Sequence, residues 1–350
     1  SIGRFGDKEI AYKFYTKAMK EAFREIYRVL KDDGLLIVFF AHSSTEAWNL
    51  LLEALRYARF RVTSSYAVHT ENTENVLARG KTSFMSSIIV SCRKVTIDSA
   101  AYFEDLLPMM EDRIKELLDK INVNKLLSIP ITDLLIMVYG KVLEIATQHT
   151  VLKSYNADFK PDFEILIKDA REYMMRQIVT KLTGRSPNLL GSEASFYLIG
   201  KIFFRGFIEA DEALKLTRTY GLDIKRVEAM SIGKKEGGGI RLLYFNEIDL
   251  DLKPEEIEAN NLHRQLLYLE YVAYKRGANT LKNILANNIN FRVEDIKQIV
   301  SLLIKHYMLL QNKGERLTPE EDEEYSVLKS MADVLGTSSD LGRITMDRFM

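Results

Sequence analysis

The chain has 350 residues, 47% hydrophobic and 28% charged, the balance of a globular protein with room for two or three domains. Lys and Arg together number 49, as do Asp and Glu, so the formal net charge is zero; that argues against a chain-wide field for nucleic acid and leaves room for a local basic face. The single cysteine, Cys92, excludes an intrachain disulfide framework and a zinc site built from this chain's thiolates.

The start, Ser1-Ile2-Gly3-Arg4, shows no signal-peptide pattern and no initiator Met, which suits a processed or truncated start. No apolar run approaches the roughly 20 residues of a membrane span, so a cytoplasmic location without membrane contact is expected. Lys8 to Leu30 reads as one amphipathic helix, with Ile10, Phe14, Ala18, Ala22, Ile26 and Val29 at spacings of three and four. The polar turn Lys31-Asp32-Asp33-Gly34 ends it. Leu35 to Phe40 is a continuous apolar run of strand length, expected to be buried on both faces of a mostly parallel sheet.

Small polar residues follow: Ala41-His42-Ser43-Ser44-Thr45-Glu46. Between a strand end and a helix start, such residues are where an open α/β sheet meets its ligands. His42, Ser43, Ser44 and Thr45 are therefore candidates for the edge of a site, although Ser44 or Thr45 as a helix cap explains the same residue types. Ala47 to Ala58 reads as the next helix, Phe60 to Val68 as a strand and Ser86 to Cys92 as another. Two strands with no helix between them imply an antiparallel pair at a sheet edge.

From about Ile97 the pattern becomes helical. Leu106, Met109, Met110, Ile114, Leu117 and Leu118 give one stripe. Pro130 starts a strongly apolar helix with Thr132 as its cap, and Pro161 to Leu182 forms another, stopped by Gly184. Ser192 to Phe204 is apolar and aromatic enough to be central to a helical core. Pro254 to Lys275, Thr280 to Asn287, Val293 to Leu310 and Pro319 to Leu335 complete the set. Pro followed by Glu-Glu opens two of these, with acids at the positive end of the helix dipole. The run Glu320 to Glu324 reads as a solvated first turn. The expected fold is α/β and then mostly α: residues 1–97 a partial Rossmann-like domain, 98–350 a helical domain.

No complete active site is legible from motifs. His42, His69, His149, His263 and His306 form no metal-ligand spacing. Cys92 lies in an apolar strand and reads as a small core residue. Gly237-Gly238-Gly239 is better read as a hairpin turn than as a phosphate cradle, because strands rather than a strand and a helix flank it. The order helix, helix, two strands over 210–246 resembles a winged-helix fragment. Its second helix carries Lys225 and Arg226 and its wing Lys234, Lys235 and Arg241, which makes these the candidate DNA-contacting residues through phosphate. A hairpin packed on the helical domain with lysines at its tip accounts for the same residues.

Phe23-Arg24-Glu25-Ile26-Tyr27-Arg28-Val29-Leu30-Lys31-Asp32-Asp33-Gly34 is similar to a turn common to S-adenosylmethionine-dependent methyltransferases. The continuation Val38 to Trp48, then Phe60 to Tyr66, Thr70-Glu71 and Ser86 to Arg93, resembles the end of adenine-specific DNA methylases of a large archaeal and bacterial family. That family carries an N-terminal domain of unknown function and often a zinc ribbon. Ile131-Thr132-Asp133-Leu134-Leu135 and Leu262 to Leu269 look similar too. The resemblance covers most of the chain, tightly in the first hundred residues or so and loosely beyond.

The resemblance implies the C-terminal part of a Rossmann-like methyltransferase sheet, with S-adenosylmethionine as cofactor and DNA as substrate. A flipped adenine would enter a pocket for methylation. It further implies a host-defence or modification role. Yet there is no Pro-Pro-Tyr or Pro-Pro-Phe, no Gly-rich turn after a first strand and no zinc-ribbon cysteine set. In the family those lie upstream, so no catalytic or cofactor residue is carried over, and a missing N-terminal segment or a partner subunit is expected to supply them. The competing expectation is a non-enzymatic DNA- or protein-interaction module of a defence or modification system.

Overall fold

Helix α1 (Lys8–Val29) ends where the Gly34 N–H closes a turn on the Lys31 carbonyl at 2.9 Å, and β1 (Leu36–Phe40) follows. In this computed structural model the described residues are 8–40, 45–69, 86–95, 99–159, 163–288 and 290–337. The chain divides into two compact units, residues 1–121 with 129–174, and residues 122–128 with 175–350.

In the first unit α2 (Thr45–Tyr57), β2 (Phe60–His69) and β3 (Ser86–Lys94) follow β1. The sheet order is β1-β3-β2, and β3 is antiparallel to both neighbours. Strands β1 and β2 therefore run parallel, with α2 in the connection between them, and β3 is inserted between the pair. The expected antiparallel pairing of the last two strands holds, but β3 is the central strand rather than an edge.

The expectation of a strand buried on both faces does not hold for β1. Its burial alternates, and Ile37 and Phe39 are 50% and 69% exposed. Only one face of the sheet is covered among the described residues. There Ile88, Val90 and Cys92 of β3 are fully buried. Phe40 meets Trp48 of α2 edge-on at 5.0 Å, and Trp48 meets Tyr139 at 5.4 Å.

The chain continues through β4 (Ala100–Tyr102), α3 (Phe103–Asp119), α4 (Val123–Leu126), α5 (Ile131–Ala146), β5 (Val151–Lys153) and α6 (Phe163–Thr183). Tyr139 belongs to α5, which packs on the covered face of the sheet at Gly140. A Cβ there would lie 2.6 Å from Ser65 Oγ and 2.7 Å from Ile88 Cδ1. The N-cap of α5 is Pro130, not Thr132, so the expected hydroxyl cap is absent. Strands β4 and β5 pair in parallel over three residues, too short for any alternation to show in sequence.

The second unit contains α7 (Pro187–Leu190), α8 (Ser192–Phe204), β6 (Phe207–Glu209), α9 (Ala210–Thr219), α10 (Ile224–Ala229), β7 (Gly233–Glu236), β8 (Gly239–Leu242), α11 (Leu262–Asn287), α12 (Val293–Asn312) and α13 (Pro319–Leu335). The strands are ordered β6-β8-β7, all antiparallel. Helix, strand, two helices and a strand pair in that sheet order is the layout of a winged helix. Sequence reading reached its second half; it placed Ser192–Phe204 in the helical core, as α8 bears out, but did not join it to this layout, and it missed β6. The wing turns at Gly237 and Gly238, whose φ of 55° and 88° are the left-handed values a two-residue hairpin loop needs.

Pro254 opens only a single 3-10 turn, Pro254–Glu256. The long helix starts instead at α11, where the Asn261 side chain accepts from the Arg264 N–H at 3.0 Å. The two helices expected over 254–287 are one element kinked at Gly277, whose φ is 80°. Helix α13 begins as expected, with a reciprocal capping box between Thr318 and Glu321.

Candidate functional site

His42, Ser43 and Ser44 lie outside the described residues. Thr45 is the first residue of α2. At the described end of β1 the side chains are the rings of Phe40, Trp48 and Tyr139, packed on one another. Those three rings carry no carboxylate to bind a ribose. By themselves these three rings do not fit a S-adenosylmethionine site.

The basic residues of the winged helix are interleaved with acids. The Arg226 guanidinium holds Glu193 at 2.7 Å and Lys235 holds Glu228 at 3.0 Å. Lys234 lies 3.6 Å from Glu236 and 4.0 Å from Glu247. Arg241 pairs with Glu236 at 2.9 Å and donates to both oxygens of Glu247. Glu247, its strongest partner, raises the Arg241 pKa further, while Arg241 lowers that of Glu247. Only Lys225 of this set is exposed with no ion pair among the described residues. A DNA backbone would have to displace the other pairs to use these bases.

The densest electrostatic feature was not legible in sequence. Helices α8, α11, α12 and α13 of the second unit enclose a polar cluster. Lys201 Nζ lies 3.0 Å from a Glu324 oxygen, with the side chains 1% and 0% exposed. The Tyr197 hydroxyl donates to Glu324 at 3.2 Å, and Tyr307 donates to its other oxygen. The ammonium also sits 3.0 Å from the centroid of the Tyr244 ring. Burial pulls the Lys201 pKa down, and Glu324 opposes that shift.

Three members of this region have no hydrogen-bond partner among the described residues: both oxygens of Glu270, and both ring nitrogens of His263 and of His306. Burial first, then the nearby Glu324 charge, raises the Glu270 pKa well above the carboxylate range. Burial lowers His263 to about 3 and His306 to about 4. Glu321 binds Arg205 at 3.0 and 2.5 Å, and Arg205 sits in the left-handed region at φ 50° as the C-cap of α8. The expectation of a solvated acidic turn at 320–324 is thereby corrected. Glu321 and Glu324 are buried because α13 turns them toward cations on α8 and at its end. The cluster is closed to solvent, so it holds helices together rather than meeting a substrate.

Cys92 is fully buried, and burial pushes its thiol up to about 12, as suits a small core residue. Among the described residues no group of three or more His, Cys, Asp or Glu could hold a metal ion. Among those residues, too, no helix is long and apolar enough to cross a membrane. The chain matches no family model, no curated protein and no solved structure.

Proposed function

We propose that this chain is the C-terminal portion of a S-adenosylmethionine-dependent DNA adenine-N6 methyltransferase of a modification or phage-defence system in the cytoplasm. The carrying observation is the sheet: parallel β1 and β2 with antiparallel β3 inserted between them. That arrangement is how a methyltransferase-type sheet ends, and it falls on the residues whose sequence resembles such enzymes. Fold analogy alone does not fix chemistry, so the reading rests on the two together.

The free side of β1 supports the same reading. Among the described residues β1 pairs only with β3, and its outward side chains Ile37 and Phe39 are exposed. An uncovered strand edge beside an apolar face is an association hazard unless further strands join it. In this reading a missing N-terminal methyltransferase segment or a partner subunit supplies those strands, the Gly-rich cofactor turn and the residues that hold the flipped adenine.

Calorimetric titration of S-adenosylmethionine into this chain tests where the cofactor site lies. The reading expects no binding by the chain alone. Stoichiometric binding would overturn the placement of the site outside it.

A second reading follows from the winged-helix layout of α8 to β8: a DNA- or protein-interaction module for which the small sheet is scaffold. Its DNA form needs Lys225, Arg226, Lys234, Lys235 and Arg241 to reach phosphate. Duplex binding that weakens steeply with salt and falls on Lys225→Ala would favour it.

A further inference from the structure

A cavity of about 460 Å³ opens in the first unit where β2, α3 and the end of α5 meet. Arg61 and Thr63 of β2, Arg113 of α3, and Glu144, Gln148 and His149 give it a polar lining. Arg61 is exposed and has neither hydrogen-bond nor ion-pair partner for its guanidinium among the described residues.

Two carboxylates approach this cavity, and neither leaves it negative. Glu144 is held by Lys141 at 2.7 Å and accepts from Ser65 Oγ at 2.5 Å. Glu116 holds Arg113 at 3.0 Å, but both side chains of that pair are more than half exposed. Such surface pairs are weak and yield to a better anion. The carbonyl end of α5 would repel an anion as well. Beyond that end, however, Arg56 donates to the His149 and Thr150 carbonyls at 3.1 and 3.0 Å, which sets a third guanidinium on this side.

We propose that this cavity binds a phosphate group, with Arg61 and Arg113 as the charged donors and Gln148 as a neutral one. Planar guanidinium forks match phosphate oxygens two at a time, which a lysine cannot do. The volume falls in the range of small-ligand sites, enough for a mononucleotide or for one backbone phosphate with its sugar. The cavity is not the candidate site edge at 42–45. Val62 is level with Cys92 and, through it, with Leu36, so the cavity lies level with the start of β1, whereas Thr45, the one described residue of that edge, follows in the chain after β1's other end. A DNA phosphate held here would fix the orientation of a duplex without reading its sequence.

The test uses the whole chain and two probes. ADP is titrated calorimetrically, and a fluorescein-labelled DNA duplex is titrated by anisotropy. The variants are Arg61→Ala, Arg113→Ala and the double, with Arg24→Ala on α1 as an exposed control. One probe is expected to bind, to lose about tenfold in affinity with each single substitution, and to be unchanged by Arg24→Ala. The probe that responds identifies the source of the phosphate. Circular-dichroism melts should be unchanged, because Arg61 and Arg113 are exposed. The proposal is overturned if neither probe binds, if the double variant binds both like the parent, or if Arg24→Ala loses as much. No cofactor enters this test, so its failure leaves the methyltransferase reading standing.

Discussion

The Lys201 ammonium on α8 lies 3.0 Å from the Glu324 carboxylate on α13, and water reaches neither side chain. Both charges have lost their hydration, and their mutual attraction with the Tyr197 and Tyr307 hydroxyl donors offsets that loss. Lys201→Met removes the cation and strands the anion. The expected cost is about 3–5 kcal/mol in urea denaturation of the second unit. Lys201→Met with Glu324→Gln should cost less than Lys201→Met alone, because no unpaired charge remains. A double variant as unstable as the single would show that packing, not charge, sets the loss.

Among the described residues Glu270 has no hydrogen-bond partner for either oxygen, and burial first, then the Glu324 charge, holds its carboxyl well above the usual carboxylate range, which favours its protonated form. The unfolded chain releases that proton above the ordinary carboxylate range, so Glu270 costs stability as pH rises from there toward its raised folded value. Glu270→Leu removes the cost. It should stabilise the protein by about 1–3 kcal/mol at pH 8 and by less at pH 5. Equal effects at both values would mean Glu270 is not held protonated.

His263 and His306 act on the acid side. The folded state holds them neutral down to about 3 and about 4. The unfolded chain protonates both below roughly 6.5. Their contribution is complete above that value and is lost as pH falls toward the folded values, at up to about 1.4 kcal/mol per pH unit for each ring. Urea midpoints between pH 7 and 4.5 should fall steeply, and less so in His306→Phe. A parallel fall in that variant would assign the acid sensitivity elsewhere.

Gly140 lets α5 lie directly on the sheet. Alanine there gains up to about 1 kcal/mol of helix propensity. Its Cβ would press on Ser65 and Ile88 at under 3 Å, and overpacking of that kind costs about 1–3 kcal/mol. The net expectation for Gly140→Ala is a lower thermal midpoint. An unchanged or higher midpoint would show that Ser65 and Ile88 move aside freely.

Much of the fold was legible because its signals are local. The α1 stripe, the Gly34 turn, the capping box at Thr318 and the Gly237-Gly238 wing are each written in a few neighbouring residues. The exposure of Ile37 and Phe39 was not, because an apolar run says only that a strand is sticky, and not what covers it. The polar cluster was hidden for a related reason. Glu321 and Glu324 look like helix-start acids, and only the packing of α13 against α8 turns them inward. The cavity beside Arg61 draws residues from three elements, a proximity that no linear spacing records. The candidate edge at 42–45 rests on sequence, since His42, Ser43 and Ser44 lie outside the described residues.

The most direct test of the central claim is methyl transfer by the native assembly. The chain is tagged in its own cell, isolated with any polypeptide bound to it, and incubated with tritium-labelled S-adenosylmethionine and unmethylated DNA. The account predicts label in N6-methyladenine, and loss of that label when Phe39→Asp places a charge on the uncovered face of β1. No label in adenine, or label undiminished by Phe39→Asp, would contradict the assignment of this sheet as the closing part of a DNA adenine methyltransferase.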